Sequence, residues 1–206
     1  MNRVIPIAVM LLVVLISELI GDDDSLKIRA IRLQKSITVD GVLSEKVWKN
    51  GSGISKFIQR DPVEGGEPTE KTEVRVAYDD DALYIGARMY DSAPDSIIAR
   101  LARRDEMVSS DYFAFFIDPF YDKRSGYYFV VSAAGTIGDG VLMNDDWDDD
   151  SWDGVWDVKT NIDSKGWSAE FRIPYSQLRF HKKDKYVWGA NFKRHILRKN
   201  ESNYLT

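Results

Sequence analysis

The chain contains no cysteine, which excludes disulfides, thiolate metal sites and a cysteine nucleophile. Histidine is nearly absent too: His181 and His195 have no metal-ligand spacing and are expected at the surface. Positive charge is in the minority, with 28 Lys and Arg against 33 Asp and Glu, a net charge of −5 and a pI near 5.2. That balance speaks against nucleic acid as a partner, because a nucleic-acid surface needs a clustered basic face. The catalytic signatures Gly-x-Ser-x-Gly, P-loop and His-Glu-x-x-His are missing. Acidic residues abound, but no two stand out as the opposed carboxylates of a glycosidase. The domain is therefore expected to be non-catalytic.

What is present begins with the N-terminus. Met1-Asn2-Arg3 carries positive charge and Val4 to Ile16 is an unbroken apolar run. Its length suits the core of a signal peptide and falls short of the ~20 apolar residues of a membrane span. Residues 1–21 are expected to be a cleaved signal, with the mature chain starting near Asp22. The expected location is the periplasm, outer membrane or cell surface. The remaining residues suit one domain with a sizeable core. The chain closes on Asn203-Tyr204-Leu205-Thr206 after a charged strand, as the front of a longer protein would.

After Ser25 the apolar residues recur with period two, the pattern of strands with one buried face. Val74, Val76 and Tyr78 alternate with Glu73 and Arg75. The turn Asp79-Asp80-Asp81 then leads into Leu83, Ile85, Ala87 and Met89, so 72–90 reads as an antiparallel hairpin. Residues 112–118 and 126–133 are almost continuously apolar and read as central strands covered on both sides. Further strands are expected at 28–33, 54–59, 136–142, 155–162, 167–173 and 186–194. Short helices are expected at 44–48 and 94–103, with a turn at 175–178. Residues 26–206 are thus expected to form an all-β antiparallel sandwich of immunoglobulin-like or jelly-roll type, with one or two short helices.

The densest chemistry lies between Asn144 and Asp157, where seven aspartates and three tryptophans share one segment. Adjacent carboxylates repel, so such a run belongs in water or around a cation. Asp146, Asp148 and Asp150 have the alternate-residue spacing of a Ca²⁺ loop, with Asp79 to Asp81 as a second candidate. Ser151 stands where an EF-hand requires glycine, and no glutamate closes the loop, so only a looser calcium site is in question. Trp147, Trp152 and Trp156 are candidates for a platform that stacks on sugar rings. The alternative places Trp156 in the core with Trp152 capping its edge. Arg103, Arg104 and Asp111 are further ligand-binding candidates, because arginine offers forked donors to hydroxyls and carboxylates.

Four ordered segments carry a resemblance. Ile37-Thr38-Val39-Asp40-Gly41-Val42-Leu43-Ser44-Glu45-Lys46-Val47-Trp48 resembles the opening of family 9 carbohydrate-binding modules, I-x-x-D-G-x-L-x-E-x-x-W. The hairpin from Val76 to Ile85, the Asp-bounded strand from Asp111 to Asp118, and Gly166-Trp167-Ser168-Ala169-Glu170-Phe171-Arg172-Ile173-Pro174 are similar to later segments of the same family. Arg103 to Glu106, Trp152 to Trp156 and Asn191 to Arg194 resemble a branch that precedes outer-membrane β-barrels in Gram-negative bacteria. The resemblance implies a β-sandwich, an exported location, an oligosaccharide or polysaccharide as partner, and a role beside a hydrolase of glycosidic bonds. One departure matters: the sugar-binding members bring a tryptophan just before the Asp-opened strand, where this chain has Met107-Val108-Ser109. Fold therefore transfers better than ligand. A structural or interaction domain in front of a membrane barrel is the alternative reading. A haem-binding sandwich is the third, with Met89, Met107, Met143 and the two histidines available in no recognisable pattern.

Overall fold

The structure is a computed structural model that describes residues 27–50, 53–106, 108–144 and 147–205. The expected signal segment lies outside the described residues. Two sheets face each other. The smaller holds β1 (Ile31–Arg32), β3 (Thr72–Tyr78), β4 (Ala82–Tyr90), β10 (Gly166–Pro174) and β9 (Asp157–Asp163), in the order β1-β3-β4-β10-β9. The larger holds β2 (Phe57–Asp61), β12 (Glu201–Leu205), β11 (Gly189–Ile196), β5 (Tyr112–Asp118), β6 (Ser125–Ser132), β7 (Ile137–Met143) and β8 (Trp147–Asp149), in that order. Apart from the short parallel pair β1–β3, the strand pairs are antiparallel. The expected β-sandwich is the fold observed.

The core is aromatic. Phe113, Phe115, Phe129, Phe171, Phe192 and Trp167 are fully buried between the sheets. Phe115 stacks on Phe192 at 5.2 Å, and Trp156 lies parallel to Phe171 at 5.8 Å. Burying such rings contributes about 2–3 kcal/mol each before the entropy of ordering them is set against it.

On the outer side of the small sheet the motif residues of the sequence converge. Glu170 in β10 is fully buried. One carboxylate oxygen accepts the Trp48 indole N–H at 2.8 Å; the other accepts the Asp40 and Gly41 amides at 2.9 and 3.2 Å. Gly41 has φ +82°, and a Cβ there would meet the Thr160 backbone at 2.8 Å. Gly86 in β4 clears the space that the Trp48 ring fills, since its Cβ would lie 2.8 Å from that ring. Trp48 itself sits on α1 (Lys46–Asn50). Burial pushes the Glu170 pKa up, against the three donors that pull it down.

Two expectations need correction. Residues 94–103 do not form a helix: only Pro94–Ser96 makes a 3-10 turn. Beyond it the backbone is spent on strands instead. Ile98 accepts from the Asp111 amide and the Ser110 hydroxyl, Ala102 donates to the Thr136 hydroxyl, and Asp105 donates to the Ile137 carbonyl. The segment thereby covers the early part of β7's edge. His195 is not a surface residue: it is half-buried, stacked on Tyr112 at 5.0 Å, with Nδ1 3.0 Å from the Ser202 hydroxyl. Burial, and then the Lys193 charge, lowers its pKa. His181 is exposed, as expected, and packs edge-on to Phe120.

Candidate functional site

The aspartate–tryptophan segment divides into structural and open parts. Trp156 is 7 % exposed, and its indole N–H donates to Asp139 Oδ2 at 2.8 Å. Trp152 is half-buried against Tyr127 and Phe129, with ring centroids at 5.1 and 6.1 Å. Trp156 therefore belongs to the core and is withdrawn from any stacking platform, because its ring is stacked on Phe171 and packs edge-on against Phe129. Trp147 starts β8, opposite Met143, at the edge of the large sheet.

Asp139, fully buried in β7, holds Gly154, Trp156 and Arg104 together. Its oxygens accept the Trp156 indole, the Gly154 amide at 2.8 Å and the Arg104 guanidinium at 2.7 Å. Arg104 also donates to the Gly154 carbonyl and pairs with Asp153 at 2.9 Å and Asp105 at 3.5 Å. Burial pulls the Arg104 pKa down, but Asp139 and its acidic neighbours raise it above the usual value. Asp105, Asp139 and Asp153 offer carboxylate oxygens within 4.8 Å of one another, the spacing a metal ion needs. A guanidinium already bridges all three.

The remaining candidates scatter. Asp148 and Asp150 are exposed at and just beyond β8, and Asp146 lies outside the described residues. Asp79 is occupied by its own turn: it accepts the Ser36 and Tyr84 hydroxyls and the Asp81 and Ala82 amides. Arg103 is exposed. Asp111 is a correction: it is 1 % exposed and cannot meet a ligand at the surface. One of its oxygens accepts the Leu197 amide at 3.1 Å, while the other is buried without a partner. Burial raises its pKa against Leu197, Arg194 and Arg198. It borders a buried ionic clamp in which Arg198 grips Asp91 with two bonds of 2.7 and 2.8 Å. There Arg194, held to the Lys71 and Tyr90 carbonyls, ties β11 to the small sheet. Burial lowers the Arg194 pKa to about 10.

The open feature is elsewhere. The outer face of the large sheet forms a groove of about 940 Å³. Cross-strand register sets its floor in rows: Asn191, Phe116 and Tyr128 in one, Lys193, Ala114 and Val130 in the next, with Tyr112 beyond them. Phe116, Tyr128 and Tyr112 are only half-buried, so flat ring surface faces the groove. Gly140 lies under Tyr128, whose ring a Cβ would meet at 2.6 Å. Burial, with Asp148 and Asp150 nearby, pushes the Tyr128 pKa to about 12. Lys193 stands between two rings, its ammonium 5.2 Å from Tyr112 and 5.3 Å from Tyr204. Burial draws its pKa down, and hydrogen bonding to these two tyrosines raises it past the usual value. Asp148 and Asn191 complete the walls.

Apart from Asp148, sequence reasoning missed these residues. The signal was the phase of the aromatics: in β5 and β6 they fall on both pleat faces, which reads as double coverage when one face is in fact open. A lysine in mid-strand, on the pleat face opposite its neighbours Phe192 and Arg194, was the second clue. A smaller cleft of about 590 Å³ opens beside β9, lined by Ile37, Val39, Ile137 and the Arg172–Asp157 pair; the only ring on it is the edge of core Trp156.

No protein-family profile and no curated protein matches the sequence. Solved structures do share its fold. A family 9 carbohydrate-binding module from Caldicellulosiruptor kristjanssonii, in complex with cellotriose, superposes with a TM-score of 0.59 at 17% identity, covering 85% of this chain and 83% of that one. The same description with glucose bound gives the same TM-score and identity, covering 84% of that chain. A candidate carbohydrate-binding protein from Bacteroides uniformis superposes with a TM-score of 0.62 at 13% identity, over 86% of this chain and 88% of that one.

Proposed function

We propose that the domain is a non-catalytic carbohydrate-binding module and that the outer groove of the large sheet receives an oligosaccharide. The observation that carries this reading is the open set of half-buried rings, Phe116, Tyr128 and Tyr112, with polar side chains beside them. Sugar C–H faces stack on aromatic rings, while hydroxyls need donors and acceptors such as Asn191 on the floor and Asp148 at the β8 edge. The groove's size suits a ligand of several hundred Å³. The solved modules of the same fold that hold cellotriose and glucose support the class of ligand.

Titration calorimetry with cello-, xylo- and manno-oligosaccharides tests the reading. Tyr128→Ala and Phe116→Ala should each weaken binding about tenfold, since one stacked ring contributes about 1–1.5 kcal/mol. Neither should lower the melting temperature much, because these rings face outward. Absence of binding across all neutral and acidic saccharides tried would falsify the proposal.

Export to the periplasm, outer membrane or cell surface, and association with polysaccharide breakdown, belong to the same proposal and rest on the N-terminal apolar run and the family resemblance. N-terminal sequencing of the expressed protein should begin near Asp22; an intact Met1 on a cytoplasmic protein overturns the localisation. A second reading, an interaction domain in front of an outer-membrane barrel, is favoured by one observation. The motif residues Asp40, Gly41, Trp48 and Glu170 are absorbed by a structural lock on the other sheet, so the resemblance they carry is architectural.

A further inference from the structure

We infer that the groove selects an acidic oligosaccharide, one with a carboxylate or sulfate ester on its sugar rings, and that Lys193 holds the anionic substituent. The inference rests on the reading of the groove as a saccharide site and goes beyond it in the charge of the ligand.

The lining contains three cations, Lys193, Lys123 and Arg124. Among the described residues none of the three pairs with a carboxylate within 4.0 Å, in a chain where Arg104, Arg198, Arg88 and Lys199 all do. Lys193 is the telling one. It stands at the middle of the sheet, half-buried, where a lone ammonium is costly unless something compensates it. Its neighbours offer ring faces and hydroxyls, which keep it charged without neutralising it. Arg60 extends the positive strip by sharing the Tyr204 ring at 5.8 Å.

The two carboxylates of the lining do not cancel this. Asp118 is consumed by the Tyr121 and Lys123 amides, each at 2.7 Å. Asp148 lies on β8, at the far edge of the sheet and against Tyr128 rather than Lys193. The groove thus carries Asp148 at its β8 edge, Lys193 over β11 with Arg60 beyond it, and Lys123 and Arg124 on the loop between β5 and β6. A neutral sugar makes no use of these cations. A ring bearing an anion gains a charge-assisted hydrogen bond from a donor already desolvated and held in place.

The decisive comparison uses the native chain: tetragalacturonic acid, its uncharged methyl ester, cellotetraose and a sulfated oligosaccharide, each titrated by calorimetry at low and moderate salt. The acid or the sulfate should bind at least tenfold tighter than the ester and cellotetraose, with the advantage shrinking as salt rises. Lys193→Met keeps the stem and removes the charge, so it should abolish that advantage, weakening acid or sulfate binding at least tenfold more than ester binding while the melting temperature stays near native; Lys193→Arg should retain it. Whichever anion binds tighter identifies the substituent. Equal affinity for acid and ester, or a Lys193→Met variant that weakens both alike, overturns the inference while the groove remains a saccharide site. Failure of all four to bind overturns the saccharide reading with it.

Discussion

Glu170→Gln is the sharpest test of how this fold is locked. The substitution keeps volume and shape but changes one oxygen into an NH₂. In the native chain three N–H donors converge on two carboxylate oxygens inside a fully buried site. The amide of glutamine can serve only one side. Either its oxygen faces Trp48 and its NH₂ confronts the Asp40 and Gly41 amides, or the reverse. In both orientations at least one buried donor is left facing another donor, which costs about 2–4 kcal/mol.

For a domain of this size such a loss lowers the melting temperature by roughly 5–12 °C. Trp48→Phe supplies the second leg of a cycle, because it deletes the indole N–H and leaves the ring. In that background the glutamine NH₂ can turn toward the phenyl face while its oxygen accepts both amides. Adding Glu170→Gln to Trp48→Phe should therefore cost at least about 1 kcal/mol less than it does alone. Calorimetric melting of the four proteins measures this. A single mutant within a degree of native, or a strictly additive double mutant, refutes the lock.

Trp156→Ala should cost about 3–5 kcal/mol, as removal of a core ring does, whereas Trp152→Ala at the half-buried edge should cost less than half as much in the same denaturant titration. Arg104→Met leaves Asp105, Asp139 and Asp153 facing one another and should cost about 3 kcal/mol. Millimolar Ca²⁺ should then restore part of the loss by mass action, and identical melts with and without Ca²⁺ would show that the three carboxylates do not converge. Asp79 has a folded pKa below its usual 3.8, because four hydrogen bonds outweigh the upward push of burial. Its ionised form thus adds stability that is present above pH 3.8 and lost as the pH falls through the folded pKa. Asp79→Asn should melt several degrees lower at pH 7, with the gap closing below pH 3.8; a gap constant from pH 7 to pH 3 contradicts the sign.

The parts of the fold that could be read from sequence are those where one physical rule acts alone. The hairpin 72–90 and the strand 166–174 carry the period-two pattern and turn residues of strands, and they were placed within a residue or two, although β4 and β10 are buried on both faces. β12 was missed because Glu201, Ser202 and Asn203 are polar yet buried: Glu201 accepts the Thr69 amide and hydroxyl, a partner 132 residues away. Residues 97–103 carry a helical composition, but tertiary hydrogen bonds to β7 and the start of β5 override it. The site was less legible than the fold. The 144–157 loop stands out by composition, yet its Trp156, together with Arg104 from an earlier segment, is held by Asp139, a residue with no local signal in the sequence. The groove residues come from β5, β6, β8 and β11, so only the sheet order brings them together.

That division follows from the pleat. In β11, Phe192, Arg194 and Ile196 point inward to core and clamp, while Asn191, Lys193 and His195 alternate outward. Inward changes are penalised by packing and by unpaired buried charge. Outward ones alter only what the groove presents. A sandwich of this kind therefore keeps its backbone at 13–17% identity to its structural neighbours. The residues that made the resemblance visible in sequence, Gly41, Trp48 and Glu170, lie on the outer side of the other sheet but are tied up by packing: each fills or frees space in the lock. Those that would decide a sugar are on the permissive side. Here they include a half-buried lysine without a carboxylate, and the ligand has to be argued from that lysine rather than from the motif.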